Sequence, residues 1–182
     1  MFNLIRIFSM ITVLSGFQSA MGSIVSINID NAVFFSQRGN PNNTYLFIDI
    51  PLNEQIVGVS WFVNLTTLPD SRGDEATIEV NGQGFQNLFI RPAVDRFGPV
   101  DHEIFFVNGF IMLEHRGIDP IVPFADGQVI VSLYDSFIDD PDAPDAWLSP
   151  ISRLTFLTEP IPSPGVLATL SLTGILAARR RR

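Results

Sequence analysis

The chain reads as all-β, a β-sandwich or jelly roll of about 8–9 strands. Three observations predict this. Between residues 23 and 159 the apolar residues come in short runs, several of them alternating with polar ones. Those runs are rich in Val, Ile, Phe, Trp and Thr, which fit a pleated, half-buried surface. The gaps between them hold Gly, Pro, Asn and Asp, and no window of this segment keeps a helical period.

The elements follow in order. Ile24, Ile27 and Ile29 open a first strand. The loop Arg38-Gly39-Asn40-Pro41-Asn42-Asn43 is dense in turn formers and leads into Tyr45-Leu46-Phe47-Ile48-Asp49-Ile50. The longest run is Ile56–Leu65, with β-branched and aromatic residues along its length. Ala76–Val80, Phe85–Ile90, His102–Val107, Phe110–Glu114, Gln128–Tyr134 and Ile151–Leu157 complete the set. Asn108-Gly109 between two apolar runs is the strongest short-range hairpin signal, a type I′ turn. That register sets Phe105 opposite Met112, His102 opposite His115 and Glu103 opposite Glu114. Asp126-Gly127 predicts a second tight turn, directly ahead of Val129–Tyr134.

Both ends of the chain read as addresses rather than fold. Arg6 and the free amine precede an apolar core, Ile7–Phe17, and small residues follow at Ser19, Ala20 and Gly22. This is the pattern of a secretory signal peptide over residues 1–22, read by the Sec machinery. At the other end, Pro162-Ser163-Pro164-Gly165 precedes an uncharged apolar run ending at Ala178, and Arg179, Arg180, Arg181 and Arg182 close the chain. The prolines stop any helix from running through them. As a helix, residues 165–178 reach about 21 Å, short of a hydrocarbon core of about 30 Å. A helix apolar nearly all round lacks the polar stripe of one packed on a soluble core.

This tail, residues 160–182, resembles the PEP-CTERM sorting signal of exosortase-containing Gram-negative bacteria: a Pro-Glu-Pro motif, an apolar helix and a terminal Arg cluster. Ser163 stands where that family usually has Glu, as in a Pro-Ser-Pro-Gly variant. The resemblance implies an exosortase-type sorting enzyme as partner, membrane contact only through the uncleaved signals, and a destination in the cell envelope or on the extracellular surface. It implies no activity for the body of the chain.

The body between the signals is one domain by length. All 11 basic residues of the 182-residue chain are arginine, and five of them lie in the terminal segments. Six therefore remain against 19 acids, a net charge of −13 where the whole chain carries −8. Such a surface argues against nucleic acid or anionic lipid as partners, and for solubility or cation binding. The absence of cysteine excludes disulfides and thiolate metal sites.

A second, shorter similarity lies in Asp126-Gly127, Val129–Tyr134, the Asp-rich stretch after them, Trp147 and Leu154-Thr155-Phe156. This looks like the C-terminal half of a P-domain jelly roll. That family's Asp-rich loop joins the last two strands and binds calcium in some members.

Asp135, Asp139, Asp140, Asp142 and Asp145 fall within eleven residues, with Pro141 and Pro144 stiffening the segment. Hard cations such as Ca²⁺ take six to eight oxygens from clustered carboxylates and carbonyls, so this loop is the candidate calcium site. Its spacing is not that of an EF-hand, and the plain alternative is a solvated acidic loop. His102 and His115, if opposed, are either a transition-metal pair or a surface pair. Glu103 and Glu114, if opposed, are a paired-carboxylate candidate for a hydrolase. Phe34, Phe35, Trp61, Phe62 and Trp147 read as core more than as a sugar platform. Asn42-Asn43-Thr44 and Asn64-Leu65-Thr66 match the glycosylation sequon, which a bacterial envelope protein does not use. No nucleophile elbow, zinc-protease motif or phosphate loop is present.

The sequence therefore predicts an exported, envelope-sorted β-sandwich without enzymatic activity, acting as a surface or exopolysaccharide-matrix component. A secreted carbohydrate-binding module is the alternative, and a secreted hydrolase a more distant one. Exposed aromatics on one face would favour the carbohydrate reading.

Overall fold

A computed structural model describes residues 22–68, 71–84, 87–93, 104–137 and 143–162. The two address segments, residues 1–21 and 163–182, lie outside the described residues, and with them the expected flanking helices. The body is all-β. Its strands are β1 (Ile24–Asn28), β2 (Val33–Phe35), β3 (Thr44–Asp49), β4 (Glu54–Thr67), β5 (Ala76–Asn81), β6 (Asn87–Ile90), β7 (Ile104–Met112), β8 (Gln128–Asp135), β9 (Pro144–Leu148) and β10 (Arg153–Pro160). A single 3₁₀ turn, Glu114–Arg116, is the helical element among the described residues.

The strands hydrogen-bond into a ten-stranded mixed sheet with two antiparallel groups. One runs β1-β10-β4-β7 and the other β3-β8-β5-β6. Strands β9 and β2 join them: β9 pairs with the end of β4, β2 pairs with β9, and Phe35 of β2 meets Tyr134 of β8 in parallel. β4 can serve three partners because it is 14 residues long. Glu54–Phe62 pair with β10 and Gly58–Thr66 with β7, while Leu65–Thr67, beyond the reach of β10, pair with β9. Val57 is an extra residue against β10, where Leu157 pairs with Gly58 and Thr158 with Ile56, so the strand bends there.

Both groups contribute to one hydrophobic core. Val59, Val63 and Leu65 of β4 with Leu154 and Phe156 of β10 supply it from one group. Ile78 and Val80 of β5 with Val129, Val131 and Leu133 of β8 supply it from the other. The period-two alternation seen in the sequence is the cause: every second residue faces the core.

Seven of the nine expected strands occupy their expected positions to within a few residues. Two were hidden. β2 is only three residues long, and β9 begins at Pro144-Asp145, which reads as loop. Proline is tolerated at the first residue of a strand. The Asp-rich segment therefore joins β8 to β9, with β10 still to follow, and not the last two strands.

The Asn108-Gly109 hairpin does not form. Ile104–Met112 is one continuous strand that pairs residue by residue with β4, Val107 against Val63 and Phe110 against Ser60. The Asn-Gly signal loses to nine residues of pairing along a long neighbouring strand. Gly109 has no positive φ, and its small size serves another purpose. It faces Trp61, and a Cβ at this position would lie 2.1 Å from Cζ2 of the indole. The expected opposition of His102 with His115, and of Glu103 with Glu114, falls with the hairpin. His115 and Glu114 sit in the 3₁₀ turn, while His102 and Glu103 lie outside the described residues. By contrast, Asp126-Gly127 turns as expected: Gly127 has φ 85°, and the Asp126 carboxylate accepts from the Gln128 amide at 3.0 Å.

Candidate functional site

The second group, β3-β8-β5-β6, turns its other face away from the core. Register places the residues of that face in rows across the strands. Tyr45, Ser132, Glu79 and Phe89 form one row; Phe47, Ile130, Asn81 and Asn87 form the next. Tyr134 and Thr77 lie on the far side of the first row.

Glu79 is the unusual member. It is on the face away from the core, yet only 1 % exposed. A loop does the covering. Between β2 and β3 the chain leaves the sheet, and Arg38 reaches over to Glu79. Its Nε donates to Oε2 at 2.8 Å and its Nη2 to Oε1 at 2.5 Å. Asn87 Nδ2 donates a further bond to Oε1 at 2.6 Å. A buried carboxylate is tolerable only when paired and hydrogen-bonded, and this two-pronged arrangement supplies both.

The loop that carries Arg38 is stapled to itself. The Asn43 side chain accepts from Phe35 N at 2.8 Å and donates to Gln37 O at 3.0 Å. Asn40 Oδ1 accepts from Asn42 N, and the Tyr45 hydroxyl donates to Asn40 O at 3.1 Å. Gly39, directly after Arg38, has φ 92°, a left-handed turn that a side chain resists. The guanidinium is thus held from below by Glu79 and from behind by its loop. Its side chain is still 56 % exposed, so the edge not used on Glu79 faces solvent.

Charge converges on Tyr134 beside this pair. Burial, first, and then the Glu79 carboxylate push its phenol above the usual value, while Arg38 and Arg91 act in the opposite sense. Arg91 follows β6 directly and is exposed. Among the described residues the ion pairs join Arg38 to Glu79, and Arg72 to Asp74 and Glu75. Arg91 takes part in none of them.

Aromatic rings flank the arginines. Tyr45, Phe47 and Phe89 are 38 %, 64 % and 52 % exposed. Tyr45 and Phe89 stand at the two ends of one four-strand row, about 14 Å apart at the usual strand spacing. Beside Phe47 lies a shallow cleft of about 520 Å³, lined by Phe124, Asp126, Gln128 and Ile130 among others. Flat exposed rings, one fixed guanidinium and amide side chains on one face suit a polyhydroxylated ligand better than a buried small molecule.

The outer face of the first group is mixed, with Ser26, Thr155, Ser60, Arg153, Asn64 and Asn108 in the same rows as its apolar residues. Phe62, Ile104, Phe106 and Phe110 are exposed there, on β4 and β7. Of the five aromatics weighed in the sequence, Phe34 is fully buried, Trp61 packs against the core, Phe35 and Trp147 are half-buried, and Phe62 faces out. In the sequence Tyr45, Phe47 and Phe89 look like ordinary strand residues, and only the turn-rich loop Arg38–Asn43 beside them stands out.

The candidate calcium ligands divide. Asp139, Asp140 and Asp142 lie outside the described residues. Asp135 and Asp145 are buried at the ends of β8 and β9. Asp145 Oδ2 accepts from Ser36 N at 2.9 Å, and Asp135 Oδ1 accepts from Phe137 N at 2.9 Å. Among the described residues no group of three or more His, Cys, Asp or Glu is placed to hold a metal. No described helix is long and apolar enough to cross a membrane. Of the sorting motif only Pro162 is described, two residues past β10. Ser163, Pro164, Gly165 and Arg179–Arg182 lie outside.

No family model matches the chain, and no curated protein matches it. Among solved structures, the infectious bursal disease virus VP2 subviral particle aligns at 16 % identity over 82 % of this chain and 36 % of that one, with a TM-score of 0.35. The structure of the Gt strain of the same virus aligns at 14 % identity over 81 % of this chain and 38 % of that one, also at 0.35. The chain thus spans well under half the length of these structures, and a likeness this loose carries no argument about fold or function.

Proposed function

We propose that this chain is an exported β-sandwich of jelly-roll type, sorted to the envelope of a Gram-negative-type bacterium, that acts by binding rather than by catalysis. Its place is the cell surface or the exopolysaccharide matrix. The address rests on the two terminal segments: a Sec-type signal at residues 1–22 and a PEP-CTERM-like tail, read by an exosortase-type enzyme, at residues 160–182. The sandwich reading is supported by two antiparallel groups that share one core. The observation that carries the binding role is the outer face of β3-β8-β5-β6, where a loop-borne arginine is clamped on a buried glutamate between exposed aromatic rings.

That same face favours a carbohydrate-binding module as the specific form of this role. Rings that stack on sugar faces, with Arg and Asn to meet hydroxyls, are what a glycan surface requires. The segment Asp135–Asp145 is the candidate calcium loop of the domain. Intact-mass measurement on the envelope fraction tests the address. The expected mature chain lacks Val166–Arg182, and a mature pool that still ends at Arg182 overturns the sorting proposal.

A further inference from the structure

We infer that the outer face of β3-β8-β5-β6 binds a sparsely acidic glycan: neutral sugars carrying isolated carboxylates, one of which docks at Arg38 and Arg91. The inference rests on the carbohydrate-binding reading and names its ligand class.

Charge gives the first argument. In a body at −13, Arg38 is clamped on Glu79, and Arg91 follows Ile90, whose partner Ile78 adjoins Glu79, so two arginines and one acid share a small area. Glu79 neutralises one guanidinium, and Arg91 is in no ion pair among the described residues, so of these three groups one positive charge is left over. An isolated cationic spot on a strongly acidic domain selects a single anionic group. A densely charged polyanion such as nucleic acid would meet repulsion from the surrounding surface.

Geometry gives the second. Nε and Nη2 of Arg38 are spent on Glu79, which fixes the plane of the guanidinium. The N–H groups on its other edge remain for an incoming carboxylate, and a planar fork of donors matches a carboxylate well. Because Glu79 and the stapled loop already hold the side chain, little rotamer entropy is lost on binding.

The flanking rings give the third. Phe89 shares a row with Glu79, and Tyr45 ends the same row on the opposite side. Apolar C–H faces of sugars on either side of the acidic one can lie on these rings. An acidic peptide has no flat face for Tyr45 and Phe89 to cover, and a free carboxylate uses neither ring.

The test is a titration of the full-length chain, held in detergent, with a glucuronic acid-substituted xylan oligosaccharide and with its carboxyl-reduced counterpart of equal length. The acidic glycan is expected to bind about tenfold more tightly than the reduced one, as one charge-assisted hydrogen-bonded contact predicts. Raising the salt should narrow the gap. Arg91→Gln, an exposed change, should remove most of it. Phe89→Ala should weaken both glycans about fivefold, the worth of one aromatic contact. Phe106→Ser, on the opposite outer face, should alter neither. Arg38→Lys keeps a charge for Glu79 yet loses the fork, and should also close the gap. Equal affinity for the two glycans would overturn this inference while leaving the carbohydrate reading standing. Binding of neither at millimolar concentration would overturn both.

Discussion

Gly109 offers a sharp test of how β7 is placed. If Asn108-Gly109 were a hairpin turn, any side chain at 109 would be opposed by its positive φ. In the structure the obstacle is instead the indole of Trp61 across the strand pair. A Cβ would lie 2.1 Å from Cζ2, 2.5 Å from Cε2 and 2.7 Å from Cη2. Carbon atoms in contact sit about 3.5–4.0 Å apart, so the ring or the strand must move by more than an ångström. Trp61 packs against the core and cannot swing out freely. Overpacking of this kind costs about 1–3 kcal/mol, and the directness of the clash puts Gly109→Ala near the top of that range. For a domain of this size that is a fall in Tm of about 6–10 °C. Trp61→Phe should rescue it. The smaller ring removes Cζ2 and Cη2, and it also removes the buried Nε1, which has no hydrogen-bond partner among the described residues. Thermal unfolding of the two single variants and the double, followed by far-UV circular dichroism, gives the coupling directly. The double variant should be more stable than Gly109→Ala alone. If the two losses simply add, or if Gly109→Ala melts within about 2 °C of the parent, the packing argument is wrong.

Three further outcomes follow from the same structure. Ile151, between β9 and β10, has φ 76°, a conformation that a β-branched residue adopts at a cost of about 1–2 kcal/mol, so Ile151→Gly should raise Tm by a few degrees. A drop in Tm would show that its exposed side chain packs on something. The Glu54 carboxyl is held below its usual value, chiefly by the Thr158 hydroxyl and then, after a smaller opposing effect of burial, by the hydroxyl and amide of Ser23. A depressed folded-state value means that its contribution is present above the unfolded value of 4.5 and fades as pH falls through the folded one. The Tm difference between parent and Glu54→Gln should therefore be positive at neutral pH and shrink in acid; a difference independent of pH would refute this. Calcium at about 10 mM should raise Tm by a few degrees if Asp135–Asp145 binds with a Kd of about 1 mM, and chelator should reverse it. No shift at that concentration makes the segment a solvated acidic turn.

Most of the strands were legible because a strand is a local fact. Alternation in Gln128–Tyr134 or Ala76–Val80 follows from which face a residue presents, and the core needs only that alternation to form. The two hidden strands break the rule in different ways. Val33–Phe35 is too short to show a period. Pro144–Leu148 opens with a proline and an aspartate, both loop formers, and becomes a strand because β2 and β4 both pair with it, while the Asp145 carboxylate accepts from the Ser36 amide. The hairpin failed for a related reason. Asn108-Gly109 satisfies the local requirement for a turn, and only the length of β4 makes a continuous partner strand more favourable. That length was visible in Ile56–Leu65, but which strand would lie beside it was not.

The site on the outer face was harder to read, because its parts are adjacent only through topology. Arg38 and Glu79 are 41 residues apart. Glu79 looks like an ordinary solvent-side residue of an alternating strand, and nothing near it in sequence says that a loop will cover it. Tyr45 and Phe89 lie on β3 and β6, which never touch, and share a row only because β8 and β5 stand between them. A signal was nonetheless present. The loop Arg38–Asn43 packs Gly, Pro and three Asn into six residues, more turn-forming capacity than a simple connection needs. Two of those asparagines, Asn40 and Asn43, make the internal bonds that hold the loop over the sheet. The one charged residue in a loop stiffened to that degree is aimed rather than merely solvated. In a body with six arginines against 19 acids, an arginine spent on a buried carboxylate is an arginine whose orientation matters. Glu79 does the aiming, and the free edge of Arg38 is what the fold presents.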